Sequence, residues 1–164
     1  MKRFLCLLLT VFILVCSAGC HKDAENYEAP ANFYYLNAEV AFFEIDSVIA
    51  PEIRETADHN RKLLSILNEY LKGPVSDKLV SPFPANLNAI HIQQNNGTCS
   101  IMFSKQFSAL SGLDLTIACS CICATVTELT DCQSVEIKSE SALPGNAESI
   151  VFTYDSLQFL DTAE

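Results

Sequence analysis

The tripeptide Asn95-Asn96-Gly97 constrains the fold of this 164-residue chain more than any other feature. Asn-Gly between two segments of alternating polarity favours a two-residue hairpin turn, because both residues tolerate a positive φ. The sequence therefore predicts an antiparallel hairpin over 87–103 with one buried face, and His91 lies on the opposite face. The residues predicted to share the buried faces of its strands are Ile90 and Ile92, then Cys99, Ile101 and Phe103.

Two longer segments repeat apolar residues at the spacing of an amphipathic helix. The first is predicted from Pro51, which a first helical turn tolerates, to Lys72, just before the stop signal Gly73-Pro74. The second covers 113–129 and contains three cysteines. The acidic residues in the first half of the first helix are interpreted as solvated, since carboxylates suit a helix N-terminus: Glu52, Glu55 and Asp58.

Runs of β-branched and aromatic residues predict the remaining strands at 33–36, 40–49, 135–138 and 150–154. Combined with the helices and the hairpin, they give the order β-β-α-β-β-α-β, with a further strand near the C-terminus. This order predicts an α+β fold, a two-layer sandwich in which two helices pack on one face of a mixed or antiparallel sheet.

The first twenty residues are interpreted as a targeting segment. Met1-Lys2-Arg3 precedes an apolar run that starts at Phe4, and the small residues Ser17-Ala18-Gly19 precede Cys20. This order resembles a bacterial lipoprotein signal, so we expect a signal peptide over 1–19 and lipidation of Cys20. The alternative, an uncleaved anchor helix, needs about 20 apolar residues, and the run is shorter. Residues 20–31 then form the lipidated cysteine and a polar spacer.

Charge excludes two classes of partner. The formal net charge is -10, and it becomes -12 after cleavage, because Lys2 and Arg3 leave with the signal. Nucleic acids and anionic lipid surfaces both favour clustered Lys and Arg. We therefore expect no nucleic-acid partner.

Five cysteines remain beyond Cys20, and three of them fall within the predicted helix 113–129. On a helix Cys119 and Cys121 point about 200° apart, so the sulfurs of that helix cannot converge on one metal ion. Buried cysteines acting as small hydrophobes are favoured, with Cys121 turned toward solvent. A disulfide from Cys99 or Cys132 to the helix remains an alternative, because exported proteins often form disulfides. A metal site remains a further alternative.

Catalytic motifs are absent from the sequence: it has no GxSxG, no HExxH, no glycine-rich phosphate loop and no paired CxxC. The histidines His21, His59 and His91 are isolated from one another and are interpreted as solvated. We therefore expect no catalytic residue, no metal, no cofactor and no enzymatic activity.

Two neighbouring segments carry a family resemblance: LLSILNEYLKGP at 63–74 and KLVSPFP at 78–84. They resemble the GerMN domain of sporulation and spore germination, in which a helix ends in Lys-Gly-Pro and Leu, Ser and Pro residues precede a strand. The hairpin at 96–101 and the segment 124–135 fit the order of that family. On this basis residues 32–154 are a GerMN-like domain and 155–164 a C-terminal tail. The family-signature positions are Gly73, Pro74, Ser81, Pro82 and Pro84.

The resemblance implies an exported, lipid-anchored and non-enzymatic interaction or scaffold module of the cell envelope, with a role in sporulation or germination. Its partners would be the membrane, through the lipid on the outer face of the cytoplasmic membrane, and a protein partner or a second copy. The loop that carries these signature positions could bind that partner or only join two elements. Alternatives are a small-ligand receptor, which usually needs two lobes, and a redox or metal-handling lipoprotein that uses Cys119, Cys121 and Cys123.

Overall fold

The computed structural model describes residues 30–38, 47–54 and 62–157, and these residues contain both strands and α-helices. The predicted α+β class is confirmed, and a two-residue strand, β3, is added to the predicted order. In chain order the elements are β1 (Ala31–Asn37), β2 (Ile49–Arg54), α1 (Leu63–Tyr70), β3 (Leu79–Val80), β4 (Ala89–Asn95), β5 (Thr98–Phe103), α2 (Gly112–Leu129), β6 (Ser134–Ser139) and β7 (Ile150–Thr153).

The strands divide between two sheets. A three-stranded sheet has the order β2-β1-β3, and a four-stranded sheet has the order β4-β5-β6-β7. The pair β5–β6 is parallel and the other pairs are antiparallel, so the larger sheet is mixed. Helix α2 contacts β1 of the smaller sheet as well as β6 and β7 of the larger one. The core therefore lies around α2, where the two sheets meet.

The helix predicted from Pro51 to Lys72 is wrong over 51–54, where the chain forms β2 and pairs antiparallel with β1. Pro51 lies opposite Tyr34 on an edge strand, where a missing N–H costs no ladder bond. Among the described residues of 51–72, the α-helix is Leu63–Tyr70. Most of the predicted strand at 40–49 and residues 55–61 of the predicted helix lie outside the described residues. Ile49, the last residue of that predicted strand, is the first residue of β2.

Side chains from both helices cover the edge of β1 that faces away from β2. Thr125 of α2 accepts a hydrogen bond from the backbone N–H of Tyr34 at 2.9 Å. The hydroxyl of Tyr70, at the end of α1, donates to the backbone carbonyl of Tyr34 at 2.7 Å. Because β3 pairs only with Leu36 and Asn37, these two bonds take the place of a neighbouring strand.

The predicted hairpin is confirmed. Asn95 pairs with Thr98, and the two turn residues have φ values of 49° at Asn96 and 76° at Gly97, as a two-residue turn requires. A bulge between Ala89 and His91 shifts the register, so Ile90 is exposed and does not share a buried face with Ile92. In the larger sheet the fully buried residues are Cys99, Ile101 and Phe103 on β5 and Val135 and Ile137 on β6.

Helix α2 matches its predicted bounds but is buried on more than one side. Nine of its eighteen residues are buried, because strands of both the smaller and the larger sheet contact it. Among the described residues it is also the helix long and apolar enough, by length and composition, to cross a membrane. Its position in the core accounts for that apolar composition, since the central helix of a folded domain needs the same residues.

Candidate functional site

The signature loop, residues 73–84, joins α1 to the larger sheet and contains all five family-signature positions. Its two ends meet: a Cβ atom added at Gly73 would lie 3.4 Å from the Cβ of Ser81. Gly73 has a φ of 104°, a value that side chains with a Cβ rarely adopt. The structure therefore brings Gly73-Pro74 and Ser81-Pro82 together, and a glycine is required at their point of contact.

Phe83 anchors the second end of the loop in a cluster of aromatic rings. Its ring centroid lies 5.0 Å from that of Tyr70 and 6.4 Å from that of Tyr35, both in edge-to-face geometry. The Tyr35 hydroxyl donates to the backbone carbonyl of Tyr70 at 2.8 Å, so the cluster also closes the C-terminal turn of α1. The prolines on either side of Phe83 restrict the backbone there.

Glu52 and Arg54, on β2, hold the first end of the loop. One carboxylate oxygen of Glu52 accepts hydrogen bonds from the N–H groups of Val75 at 2.9 Å and Ser76 at 2.8 Å. The other oxygen accepts from Arg54 Nε, and Arg54 Nη2 donates to the carbonyl of Gly73 at 2.8 Å. The guanidinium also lies over the rings of Phe33 and Tyr35, at 5.5 and 5.3 Å.

The pKa of Glu52 reports this environment. Burial by itself would raise the pKa of the carboxyl, but hydrogen bonds from Ser76, Arg54 and Val75 and the positive charge of Arg54 outweigh it, and the pKa is lowered. Glu52 is therefore held as a carboxylate. The interpretation of Glu52 as a solvated helical residue is wrong, because β2 replaces the predicted helix and only 11% of the side chain is exposed.

Between its two fixed ends the loop exposes apolar and charged side chains. Val75 is 87% exposed and Val80 is 47% exposed, and Asp77 and Lys78 beside them are also exposed. The described contacts of Lys78 are made by its backbone, whose N–H donates to Ser76 and whose carbonyl accepts from Ala38. The Lys78 ammonium is therefore not used by these contacts. We call the surface of Val75, Asp77, Lys78 and Val80 the loop tip.

A groove of about 270 Å³ runs along the second half of the loop. Residues 81–84 line it, together with Leu36 of β1 and Ile117 of α2. Leu110 and Asp114 complete the lining, so most of the groove is apolar. It is smaller than the range of about 300–1,000 Å³ that is usual for small-molecule pockets.

The cysteines do not form a reactive site. All five described cysteines are buried, and no disulfide joins any two of them. Burial raises the pKa of Cys119 to about 12 and that of Cys123 to about 11, so both are protonated at neutral pH. Cys119 and Cys123 pack in the main core cluster, whereas Cys121 packs with Ile49 and Ala124 in a second one. The expectation that Cys121 faces solvent is wrong, because β2 and β1 cover that side of α2.

The other predicted residues lie apart from the loop or outside the described part of the chain. His91 is exposed on β4, whereas Cys20, His21 and His59 lie outside the described residues. Within 30–38, 47–54 and 62–157, no three His, Cys, Asp or Glu side chains are grouped to hold a metal ion. A second cavity, of about 450 Å³, lies at the end of α2 and is lined by residues that include Glu128, Asp131, Cys132, Tyr154 and Asp155.

Fold and site together define an α+β domain that presents a loop held between a buried aromatic cluster and a carboxylate–guanidinium pair. The family model for Germane, sporulation and spore germination, matches residues 32–142. The chain therefore belongs to the Germane family, and the resemblance to the GerMN domain is confirmed. Among curated proteins, none matches the chain.

Two solved structures align with the chain. The tandem GerMN domains of the sporulation protein GerM from Bacillus subtilis align with 21% identity and a TM-score of 0.50, over 68% of this chain and 39% of that one. A candidate lipoprotein from Clostridium perfringens aligns with 18% identity and a TM-score of 0.47, over 77% of this chain and 90% of that one. The chain thus spans well under half of the tandem structure, and the likeness to it concerns the fold.

Proposed function

We propose that this protein is a lipid-anchored, non-enzymatic interaction module of the cell envelope that binds a protein partner or a second copy through the loop tip. Membership of a family associated with sporulation and germination supports a role in one of those processes. The single observation that carries the proposal is the 87% exposure of Val75 on a loop whose two ends are held by buried or shielded contacts.

A loop held in this way suits binding for an energetic reason. Ordering a flexible loop at an interface costs entropy, and a loop ordered in the free protein avoids most of that cost. The apolar side chains of Val75 and Val80 then gain from burial against a partner, at about 25 cal/mol per Å² of apolar surface. Their isolation from the core leaves that surface available.

The proposed activity is binding because the two shielded charged side chains beside the loop, both on β2, already serve the loop itself. The Glu52 carboxylate and the Arg54 guanidinium are bonded to each other and to backbone groups of residues 73–76. A general base or nucleophile would instead point a polar group toward a bound substrate. The arrangement therefore supports a scaffold rather than a reaction.

Lys78→Glu tests the proposed surface. The change reverses a charge at the loop tip and touches none of the described side-chain contacts of the fold, so thermal stability should stay within about 0.5 kcal/mol of wild type. Crosslinking in intact envelopes should recover a protein neighbour or a dimer with the wild-type chain, and less of it with Lys78→Glu. Lys105→Glu, on an exposed residue outside the loop, is the matched control and should leave the yield unchanged.

Equal crosslinking yields for Lys78→Glu and Lys105→Glu would exclude the loop tip as the binding surface. Absence of any crosslinked protein at native expression would refute the interaction module itself. Turnover of a substrate by the purified chain would refute the non-enzymatic part of the proposal.

The lipid anchor is proposed from the targeting segment, and it is tested separately. Cys20→Ala should move the protein from the membrane fraction to the soluble fraction or leave it as uncleaved precursor, because the modified thiol is lost. Normal maturation and unchanged detergent partitioning of the variant would contradict lipidation of Cys20.

A further inference from the structure

At Val75 the loop tip is positioned by polar contacts rather than by burial. Val75 is almost fully exposed, so the core does not hold it in place. Its neighbour Pro74 has no N–H to donate, and the hydrogen bonds that bracket Pro74 come from β2. They join Arg54 to the carbonyl before the proline and Glu52 to the two N–H groups after it.

We propose that Glu52 and Arg54 are positioning residues for binding: they fix residues 73–76 in the conformation that presents the loop tip to its partner. This inference rests on the proposed function. Two consecutive backbone N–H groups that converge on one carboxylate oxygen define both the place and the direction of the chain at Val75 and Ser76.

The pair is also placed to act as a rigid unit. The side chains of Glu52 and Arg54 are only 11% and 20% exposed, so their attraction is screened less than that of a surface pair. Stacking of the guanidinium over Phe33 and Tyr35 fixes its plane. By contrast, the ion pair of Lys72 with Glu69 is more than half exposed on both sides, so solvent screens it more strongly.

A purely structural role for the pair would lower global stability, whereas a positioning role loosens the loop and weakens binding. Amide hydrogen exchange of the full mature chain separates the two residue by residue. In Glu52→Ala, exchange at Val75 and Ser76 should accelerate roughly tenfold or more, because both amides lose their acceptor. Exchange at Cys99 and Ile101 of β5 should stay unchanged.

Binding is measured in intact envelopes by the crosslinked yield of a chain that carries a photo-crosslinking residue in place of Val75. The crosslinked yield should fall severalfold in Glu52→Ala. Glu52→Gln should restore part of the amide protection and part of the yield, since its amide oxygen still accepts while the charge is lost. Glu136→Ala is the matched control, because it removes a carboxylate paired with Lys138 on the larger sheet and should change neither readout.

Unchanged exchange at Val75 and Ser76 in Glu52→Ala would overturn the inference, and so would faster exchange with an unchanged crosslinked yield. If Glu52→Ala also accelerates amide exchange in β5, the Arg54→Lys variant is used in its place. Amide exchange at Val75 and Ser76 and the crosslinked yield then decide whether the inference holds. A wild-type chain that crosslinks to no protein refutes the proposed function and, with it, the positioning role in binding. Amide hydrogen exchange is measured without a partner, so it still decides whether Glu52 and Arg54 fix the loop.

Discussion

Replacing Thr125 with valine removes one hydroxyl from the middle of α2 and nearly keeps the shape of the side chain. Thr125 is fully buried, and its Oγ1 accepts the hydrogen bond from the Tyr34 backbone N–H at 2.9 Å. That bond joins α2 to the edge of β1, where side chains replace a neighbouring strand. Thr125→Val therefore tests whether this side-chain contact holds the smaller sheet against the helix.

The magnitude follows from the burial of both groups. A hydrogen bond contributes about 0.5–1.5 kcal/mol net, and loss of one partner of a buried bond costs about 1–3 kcal/mol. Because methyl replaces hydroxyl, little cavity forms and no packing term adds to this cost. We expect Thr125→Val to lower the free energy of unfolding by about 1–3 kcal/mol, or the Tm by roughly 4 °C per kcal/mol.

Urea unfolding of the mature chain, followed by far-UV circular dichroism because the sequence has no tryptophan, measures this difference. Thr127→Val is the matched control on the same helix. The Thr127 hydroxyl bonds to helix carbonyls of Cys123 at 2.8 Å and Ala124 at 3.1 Å, so its loss should change stability by less than about 0.5 kcal/mol. A Thr125→Val variant as stable as wild type, or a Thr127→Val variant equally destabilised, would refute the reasoning.

Two further predictions concern the core and pH. Cys121→Ser and Cys119→Ser should each lower the free energy of unfolding by about 1–3 kcal/mol, because each places a hydroxyl in a buried cluster. A Cys121→Ser variant that unfolds thermally like wild type would contradict the burial of Cys121 in the second cluster. The Glu52 pKa is lowered on folding, so the stability that its carboxylate contributes is complete above the ordinary glutamate pKa and is lost as pH falls through the lowered value. The difference in unfolding free energy between wild type and Glu52→Gln should therefore be constant near neutral pH and shrink in acid, and a pH-independent difference would show that the charge of Glu52 is not involved.

Much of the larger sheet and of α2 could be predicted from sequence because their signals are local. The Asn96-Gly97 turn sets the register of β4 with β5, and alternation along β5 identifies its buried face. The periodicity of 113–129 gives α2 its correct bounds within a residue. The signature residues 63–74 and 78–84 also identified the family, which the family model confirms.

The region before α1 was mispredicted because its local pattern fits two structures. Pro51 and Ile53 match a first helical turn, yet pairing with β1 places them on an edge strand. Cys121 shows the same limit of local reasoning: one apolar stripe predicts one buried face, but a helix contacted by both sheets is buried on several.

The sequence by itself determined the turn, the cysteine helix and the family, since each depends on residues a few positions apart. Only the tertiary structure decided the site. Arg54 reaches Gly73 across 19 positions, and Glu52 reaches Val75 and Ser76 across 23 and 24. Such contacts exist because β1 pairs with β2 and packs against α1, which brings β2 beside the loop. Hydrogen bonding and burial depend on distances in space, and the spacing of residues along the chain does not encode those distances.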